Sequence, residues 1–545
     1  MFPILPSVVP AGIWFAFAIF SIGYLFSFYT GYLSSYVRKC SKEETGRFHV
    51  AIIGSGCGGI SMAYYLQKAN IPFTIYELDD DVGGTWKKNT YPDCACDVPS
   101  HLYSFSFCPN PNWTHKFPVQ EQILNYIRLV VKKYGIDKNI VFNSKVEKIE
   151  WDSKTETWQL TILDTSTLQK DDAVAVRRHV SHNIVVTAMG QLNIPKKPSF
   201  PNLDSFQGIS FHSQHWRHDV DYRNKRVGVI GNGPSATQFL GSLLRSGVKS
   251  LTIFQRSAPF ILKKPDFEYP GWAKNLFRHV PIISTIYRLK LFLEGELLYA
   301  SFFKNSFLNK ILKKQMDQMR EEWCRDAKTP PLVQEHATPV DVFGCKRVVL
   351  STDYFDVLSN ERSTLVTGSV EKVLPDGIRM VDSTEYPLDV MIYGTGFETQ
   401  KFLFPMEIRG RGGVELQERW KDTPRAYYSM CVPGFPNFFM LYGPGSNLGH
   451  NSIILMMEVQ ALYIARLLST HLLRNKMRVV EVTESATEHY IDAYKERVSK
   501  LVWTASCNSW YKNKDGVVTN NLAWSCIEYL WKMRFPNPMH YQFSA

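Results

Sequence analysis

Three kinds of apolar pattern alternate along the chain. The first is an unbroken run at the start: no charged residue occurs from Met1 to Val37, and Val8 to Tyr32 is dense in Ile, Phe, Trp, Tyr, Leu and Val. A helix of about 20 mainly apolar residues crosses a bilayer. Tyr and Trp near the ends of the run suit the membrane interface, and Arg38, Lys39 and Lys42 follow directly. Residues 1–45 are therefore expected to form a single-pass transmembrane anchor and its basic flank, with the rest of the chain cytosolic and the endoplasmic reticulum as the default membrane. A cleaved leader would carry a charged start and a shorter apolar core. The second pattern is the short buried-strand run closed by glycine, at Val50 to Ile53, from Ile184 to Gly190 and from Lys225 to Gly231. The third is the amphipathic helix, at Ile60 to Ala69, around Ile282 to Phe307 and at Ile453 to Leu468, with a charged run from Lys313 to Arg325. Strands alternating with helices predict an α/β chain. Glu150 to Ile162 and Arg177 to Val186 read as two further strands around the polar loop Asp164 to Asp172.

Two of the strand–glycine–helix units have the spacing of dinucleotide sites. In the first, Gly54-x-Gly56-x-x-Gly59 follows the strand and opens the helix. Its glycines let the backbone approach a pyrophosphate, and the free N–H groups of the helix start bind the anion. The next strand, Phe73 to Tyr76, ends in Glu77. An acid there suits a ribose diol, so this unit takes FAD or NAD. The second unit carries Gly231-x-Gly233-x-x-Ala236, with Ser235 in the turn. Its following strand, Leu251 to Phe254, runs into Gln255-Arg256-Ser257, and a base with a hydroxyl suits a 2′-phosphate. The contrast in charge argues for FAD in the first unit and NADPH in the second. The fold expected is two Rossmann-like dinucleotide-binding domains. The first part of the FAD domain covers 46–200, and the NADPH domain covers 201–390 with a helical insert at about 265–343. The second part of the FAD domain and a C-terminal segment make up 391–545.

Composition narrows the picture further. Over 545 residues, 45% hydrophobic and 21% charged content belong to a globular protein rather than a disordered one. The net charge of +11 comes from scattered Lys and Arg, so a nucleic-acid partner is not expected. Anionic cofactors and a membrane face suit such a surface better. The ten cysteines are dispersed, and Cys94-x-Cys96 has no second Cys/His pair at zinc-like spacing. Neither a metal site nor a secreted disulfide framework is read, and reduced thiols are expected. Nothing in the sequence fixes an oligomeric state.

Between the two glycine signatures lies Phe206-x-Gly208-x-x-x-His212-x-x-x-Trp216, and earlier stand Gly83-Gly-Thr85-Trp86, Tyr91-Pro92 and Asp97. These stretches resemble the two fingerprints of the Baeyer–Villiger monooxygenases, class B flavoenzymes that insert an oxygen atom beside a ketone. Val98-Pro-Ser-His-Leu-Tyr103-Ser-Phe-Ser-Phe107 looks most like fungal members. The resemblance runs over about residues 46 to 535. It implies that NADPH reduces FAD, that O2 then gives a C4a-peroxyflavin, and that a lipophilic ketone becomes an ester or lactone. It further implies cofactor contacts at Thr85, Trp86, Tyr103 and Trp510, and a phosphate contact from Lys346. A buried Asp97 would orient Arg347 beside the flavin, and His212 would couple the two domains. Two departures stand out. Asp93 occupies a position where the family has Gly, and Trp524-Ser525-Cys526 replaces its Trp-Pro-Gly. Oxygenation of nitrogen or sulfur, or a membrane-held flavoprotein that oxidises NADPH without a substrate, are the other readings.

Overall fold

The computed structural model describes residues 36–46, 48–166 and 175–545. The expected anchor, up to residue 35, lies outside the described residues, as do Arg47 and most of the polar loop after Asp164.

Two five-stranded parallel sheets organise the chain. The first has the order Phe438–Met440, Ile184–Thr187, Val50–Ile53, Phe73–Tyr76, Ile140–Val141. Val50–Ile53, at its centre, is buried throughout, as a strand covered by helices on both faces must be. The second sheet runs Ser363–Thr367, Ser250–Gln255, Arg226–Ile230, Val390–Tyr393, Ile209–His212. Val390–Tyr393 thus completes the second sheet.

The two glycine turns are near copies. Gly54 has φ +104°, and a Cβ on it would stand 2.7 Å from the Ala188 carbonyl oxygen. Gly231 has φ +100°, with the Gly394 oxygen at 2.6 Å from the same hypothetical atom. Both conditions exclude any other residue, since the conformation disfavours L side chains and the neighbouring strand end fills the space.

Two sequence expectations change. Glu150 to Ile162 is not one strand: Ser144–Asp152 and Thr157–Asp164 pair antiparallel around a turn at 153–156. Asp152 accepts from the Lys154 N–H at 2.9 Å and turns the chain, a local preference that the apolar alternation on either side conceals. Arg177 to Val186 likewise divides at Asn183. Arg177–His182 extends this hairpin, whereas Ile184–Thr187 joins the first sheet.

The insert consists of the helices Gly271–His279, Pro281–Tyr299, Phe307–Asp326 and Pro331–His336. It is fastened to the first unit by Arg288, whose buried guanidinium donates to the carbonyls of His101 (3.0 Å) and Ser104 (2.8 Å). Helix Ile453–Arg466 continues as a π-helical segment, Leu467–Leu473. Among the described residues this is the one stretch long and apolar enough to span a membrane, but it is buried inside the protein. It packs on Cys57–Lys68, the helix of the first glycine turn, and so belongs to the core. The expectation of reduced thiols is also corrected: Cys345 and Cys507, 162 residues apart, are joined in a disulfide. Such a pairing depends on the return of the C-terminal segment, which no cysteine spacing discloses.

Candidate active site

A cavity of about 470 Å³ opens between the two units. Of the residues singled out from sequence, Gly54, Gly56, Glu77, Thr85, Trp86, Asp97, Tyr103, Ser235 and Arg347 line it. At one end Glu77 is buried and accepts from the Ser55 N–H (2.6 Å) and hydroxyl (2.7 Å) and from the Asp79 N–H (3.0 Å). These bonds hold its carboxylate at the end of its strand, beside the glycine turn. Further in, the Trp86 indole N–H donates to Tyr103 Oη at 3.0 Å, fixing two aromatic walls.

Arg347 is one of the cations in the lining. The Arg347 Nε donates to Asp97 Oδ2 at 3.1 Å, and its Nη2 contacts the same oxygen. The Arg347 side chain is 34% exposed and belongs to the lining of the cavity. The Asp97 carboxylate pushes the guanidinium pKa up, against the opposing effect of burial. The group is a permanent charge in a fixed direction.

The remaining candidates fall outside the lining. Gly59 packs against the Gly54 carbonyl. Gly231 and Gly233 form the turn of the second unit, at the start of helix Pro234–Arg245. Arg256 and Ser257 are exposed at the end of Ser250–Gln255, and Lys346 reaches them there, its Nζ 2.8 Å from Ser257 Oγ. Lys346 also pairs with Asp341 at 2.6 Å. Trp510 contributes its carbonyl, which accepts from Gln400 (2.9 Å), Asn520 (3.2 Å) and Thr399 (3.3 Å), rather than a cavity wall.

His212, which the resemblance implies couples the two domains rather than moving a proton, has the geometry of a tether. Its Nδ1 accepts from the Gln214 N–H at 3.1 Å, and its Nε2 lies 2.9 Å from the Gly396 carbonyl. Burial lowers its pKa to about 4, so the ring is neutral with Nε2–H donating. Both nitrogens are engaged, and neither is free to move a substrate proton. Trp216 is buried against Phe239 and Phe211.

Asp93 does adopt a left-handed conformation, φ +60°, which Asp tolerates better than most residues. It gains an ion pair with Arg245 that a glycine would lack. Ser525 caps helix Cys526–Lys532, with Glu528 completing a capping box.

Several lining residues gave no sequence signal. Gln191 donates to the carbonyls of Tyr442 (3.0 Å) and Gly443 (3.1 Å), while its own Oε1 is buried without a partner. Asn89 Oδ1 is in the same state. Two such acceptors on one cavity are what a polar ligand would satisfy. Gln238 bridges the units, bonding the Ala95 carbonyl (3.0 Å), the Ala95 N–H (3.3 Å) and the Tyr91 hydroxyl (3.1 Å). Glu458 is wholly buried behind the cavity, accepting from the Ser106 N–H at 2.7 Å, and burial raises its pKa to about 7 despite the nearby Arg288. Isolated Gln, Asn and Glu residues carry no spacing pattern, so only the folded chain reveals them.

Residues 47–318 match the family model described as flavin-binding monooxygenase-like. A Baeyer–Villiger monooxygenase of Pseudomonas aeruginosa is 36% identical over 466 residues, 85% of this chain and 85% of that protein. The FAD-binding monooxygenase ktnD of Aspergillus niger is 35% identical over 504 residues, 91% of this chain and 82% of that one. Among solved structures, OTEMO in complex with FAD and NADP superposes with a TM-score of 0.77 at 22% identity, covering 91% of this chain and 99% of that one. The arginine–aspartate pair, the twin glycine turns and these likenesses agree: the chain belongs to the Baeyer–Villiger monooxygenase family of class B flavoproteins and is a flavin monooxygenase.

Proposed function

We propose that this enzyme uses FAD and NADPH to convert a lipophilic ketone and O2 into an ester or lactone, at a membrane surface and in secondary metabolism. The observation that carries the reading is the Asp97–Arg347 pair in the wall of the cavity. The residues present fit the two cofactors. Gly54, Gly56 and Glu77 offer FAD a pyrophosphate turn and a ribose acceptor, and Gln191 and Asn89 offer unsatisfied acceptors along the same cavity. Gly231, Arg256, Ser257 and Lys346 offer NADPH the corresponding turn and a basic, hydroxyl-bearing rim. FAD supplies the activation of O2 when bound.

The protein's own task is electrostatic and steric. Negative charge develops where oxygen attacks a carbonyl, and a guanidinium aimed at that point stabilises it without reorganising. Arginine holds its proton at any working pH, so it does not neutralise an oxygen nucleophile as an ammonium group can. Asp97 fixes its direction. Trp86, Tyr103 and Tyr442 wall the cavity and exclude water.

The membrane reading is supported by exposed apolar side chains that lie next to cations. Tyr36 is 77% exposed, and its carbonyl lies 3.4 Å from Arg466 Nε. The Arg466 guanidinium stacks on Phe535, and Trp531, Phe535 and Met539 are exposed beside Lys532 and Arg534. Apolar side chains next to cations suit a headgroup region.

The reaction is tested with the full-length enzyme in detergent. NADPH is expected to bleach the flavin anaerobically, and a ketone with O2 to yield an ester in step with NADPH consumption. Arg347→Ala is expected to keep the bleaching and lose the ester; full ester yield in that variant overturns the role of Arg347. Oxygen transfer to an amine or sulfide, with ketones inert, overturns the ketone reading. The membrane reading fails if the full chain stays in the supernatant when sedimented with anionic vesicles.

A further inference from the structure

Glu296, His450 and Cys526 come from three distant segments: the helical insert, the loop after Gly443, and the first residue of the C-terminal helix. Their donor atoms converge. His450 Nε2 lies 3.5 Å from Glu296 Oε1 and 3.7 Å from Cys526 Sγ, and all three atoms lie within 4.8 Å of one another. One zinc ion bound at about 2.0 Å to nitrogen or oxygen and about 2.3 Å to sulfur, tetrahedrally, holds its donors roughly 3.5 Å apart. The histidine is therefore already at ligand spacing from both partners.

The surroundings are built rather than accidental. The side chains of His450 and Glu296 are 1% and 7% exposed, and Cys526 is fully buried. The segments meet because residue 295 is glycine; a Cβ there would collide with the His450 carbonyl oxygen. Glu296 is aimed by the N–H groups of Cys526 (3.2 Å) and Ile527 (3.0 Å), donated to Oε1 and Oε2 respectively, and by the Asn451 amide (3.1 Å). Among the described residues no lysine or arginine forms an ion pair with Glu296; its partner is His450. The present partners of this buried carboxylate are N–H groups and His450, and a divalent cation would add a full counter-charge. Coordination of the Cys526 sulfur would displace its thiol proton to solvent.

We infer that Glu296, His450 and Cys526 form a binding site for a single zinc-type divalent cation, clamping the insert and the C-terminal helix to the loop behind the flavin cavity. Mixed sulfur, nitrogen and oxygen donors with a fourth position for water suit zinc among the common divalent ions. Cys526 belongs to the Trp524-Ser525-Cys526 departure, which acquires a purpose here. Asn447, Leu448 and Asn451 of the clamped loop line the cavity, so the ion would steady one of its walls without touching it.

The test uses the FAD-bound full chain, stripped with a chelator and then given ZnCl2 or CoCl2. Loaded enzyme is expected to retain about one zinc ion per chain after gel filtration. It is also expected to melt at a higher temperature than the stripped form, and its cobalt form to show a thiolate-to-cobalt absorption band over the flavin spectrum. Cys526→Ser, close to isosteric, should keep its flavin, lose the band and lower zinc retention by about tenfold or more. Two results overturn the inference. One is a loaded wild type with under about a tenth of an equivalent of zinc and an unchanged melting temperature. The other is a Cys526→Ser variant that binds zinc and cobalt as the wild type does. Either outcome leaves the flavin reaction independently measurable.

Discussion

The two dinucleotide units share a backbone and differ in where they keep their charge. Gly54 and Gly231 adopt nearly the same conformation, each capped by a carbonyl of the neighbouring strand. At the end of the next strand the resemblance stops. The first unit holds Glu77, buried and hydrogen-bonded at both oxygens. The second presents Arg256 and Ser257 on the surface, joined by Lys346. A sequestered acid suits a cofactor that stays, and an exposed basic rim suits one that arrives and leaves.

The largest effect is expected between the units. Arg347→Ala should lower ester formation by about 10²–10³-fold, the usual result of removing one preorganised transition-state donor. Anaerobic reduction of the flavin by NADPH, followed by stopped flow, should persist. Equal loss of both would make Arg347 part of the second unit's cofactor site instead. Next comes the paired test of the turns. Gly54→Ala should abolish co-purification of FAD, whereas Gly231→Ala should leave FAD in place and weaken NADPH by about 10–100-fold, from strain of a few kcal/mol in each case. If Gly231→Ala also expels FAD, the units are not independent.

A smaller effect is expected at the rim. Arg256→Ala or Lys346→Ala should each raise the KM for NADPH by roughly tenfold, about 1.4 kcal/mol, with kcat and the KM for NADH little changed. An equal rise for NADH would show that these groups do not sense the 2′-phosphate.

The smallest effect concerns Glu458, on the core helix of the first unit. Its folded pKa is raised from 4.5 to about 7 by burial. The folded state therefore binds more protons than the unfolded state between these values, and stability should fall as pH rises through that window. Glu458→Gln should flatten this slope and melt later than the wild type at pH 8. An unchanged slope would mean that Glu458 is ionised throughout, with Arg288 outweighing burial.

Much of the fold follows from patterns within a few residues. Strand, glycine turn and helix occur together at Val50–Lys68 and again at Arg226–Arg245, and local spacing suffices to read them. The hairpin at 144–164 was misread because a tight turn interrupts alternation without a glycine or proline. The contrast in charge between the two strand ends, Glu77 and Arg256, was legible for the same local reason. The meeting of Asp97 with Arg347 was available only through family resemblance, since 250 residues separate them. His212 took its expected coupling role from the fingerprint alone, and only the folded chain names the partners of its ring, Gln214 and Gly396. Gln238, Gln191 and the Cys345–Cys507 bond depend wholly on tertiary closure.

Gln238 has a mechanical consequence. Its amide grips both the N–H and the carbonyl of Ala95, as a neighbouring strand would, from the helix that begins at the second glycine turn. Two residues after Ala95 comes Asp97, whose carboxylate holds the Arg347 guanidinium. One side chain therefore ties the helix of the second glycine turn to the segment that aims Arg347, so the position of the guanidinium is set jointly by both units.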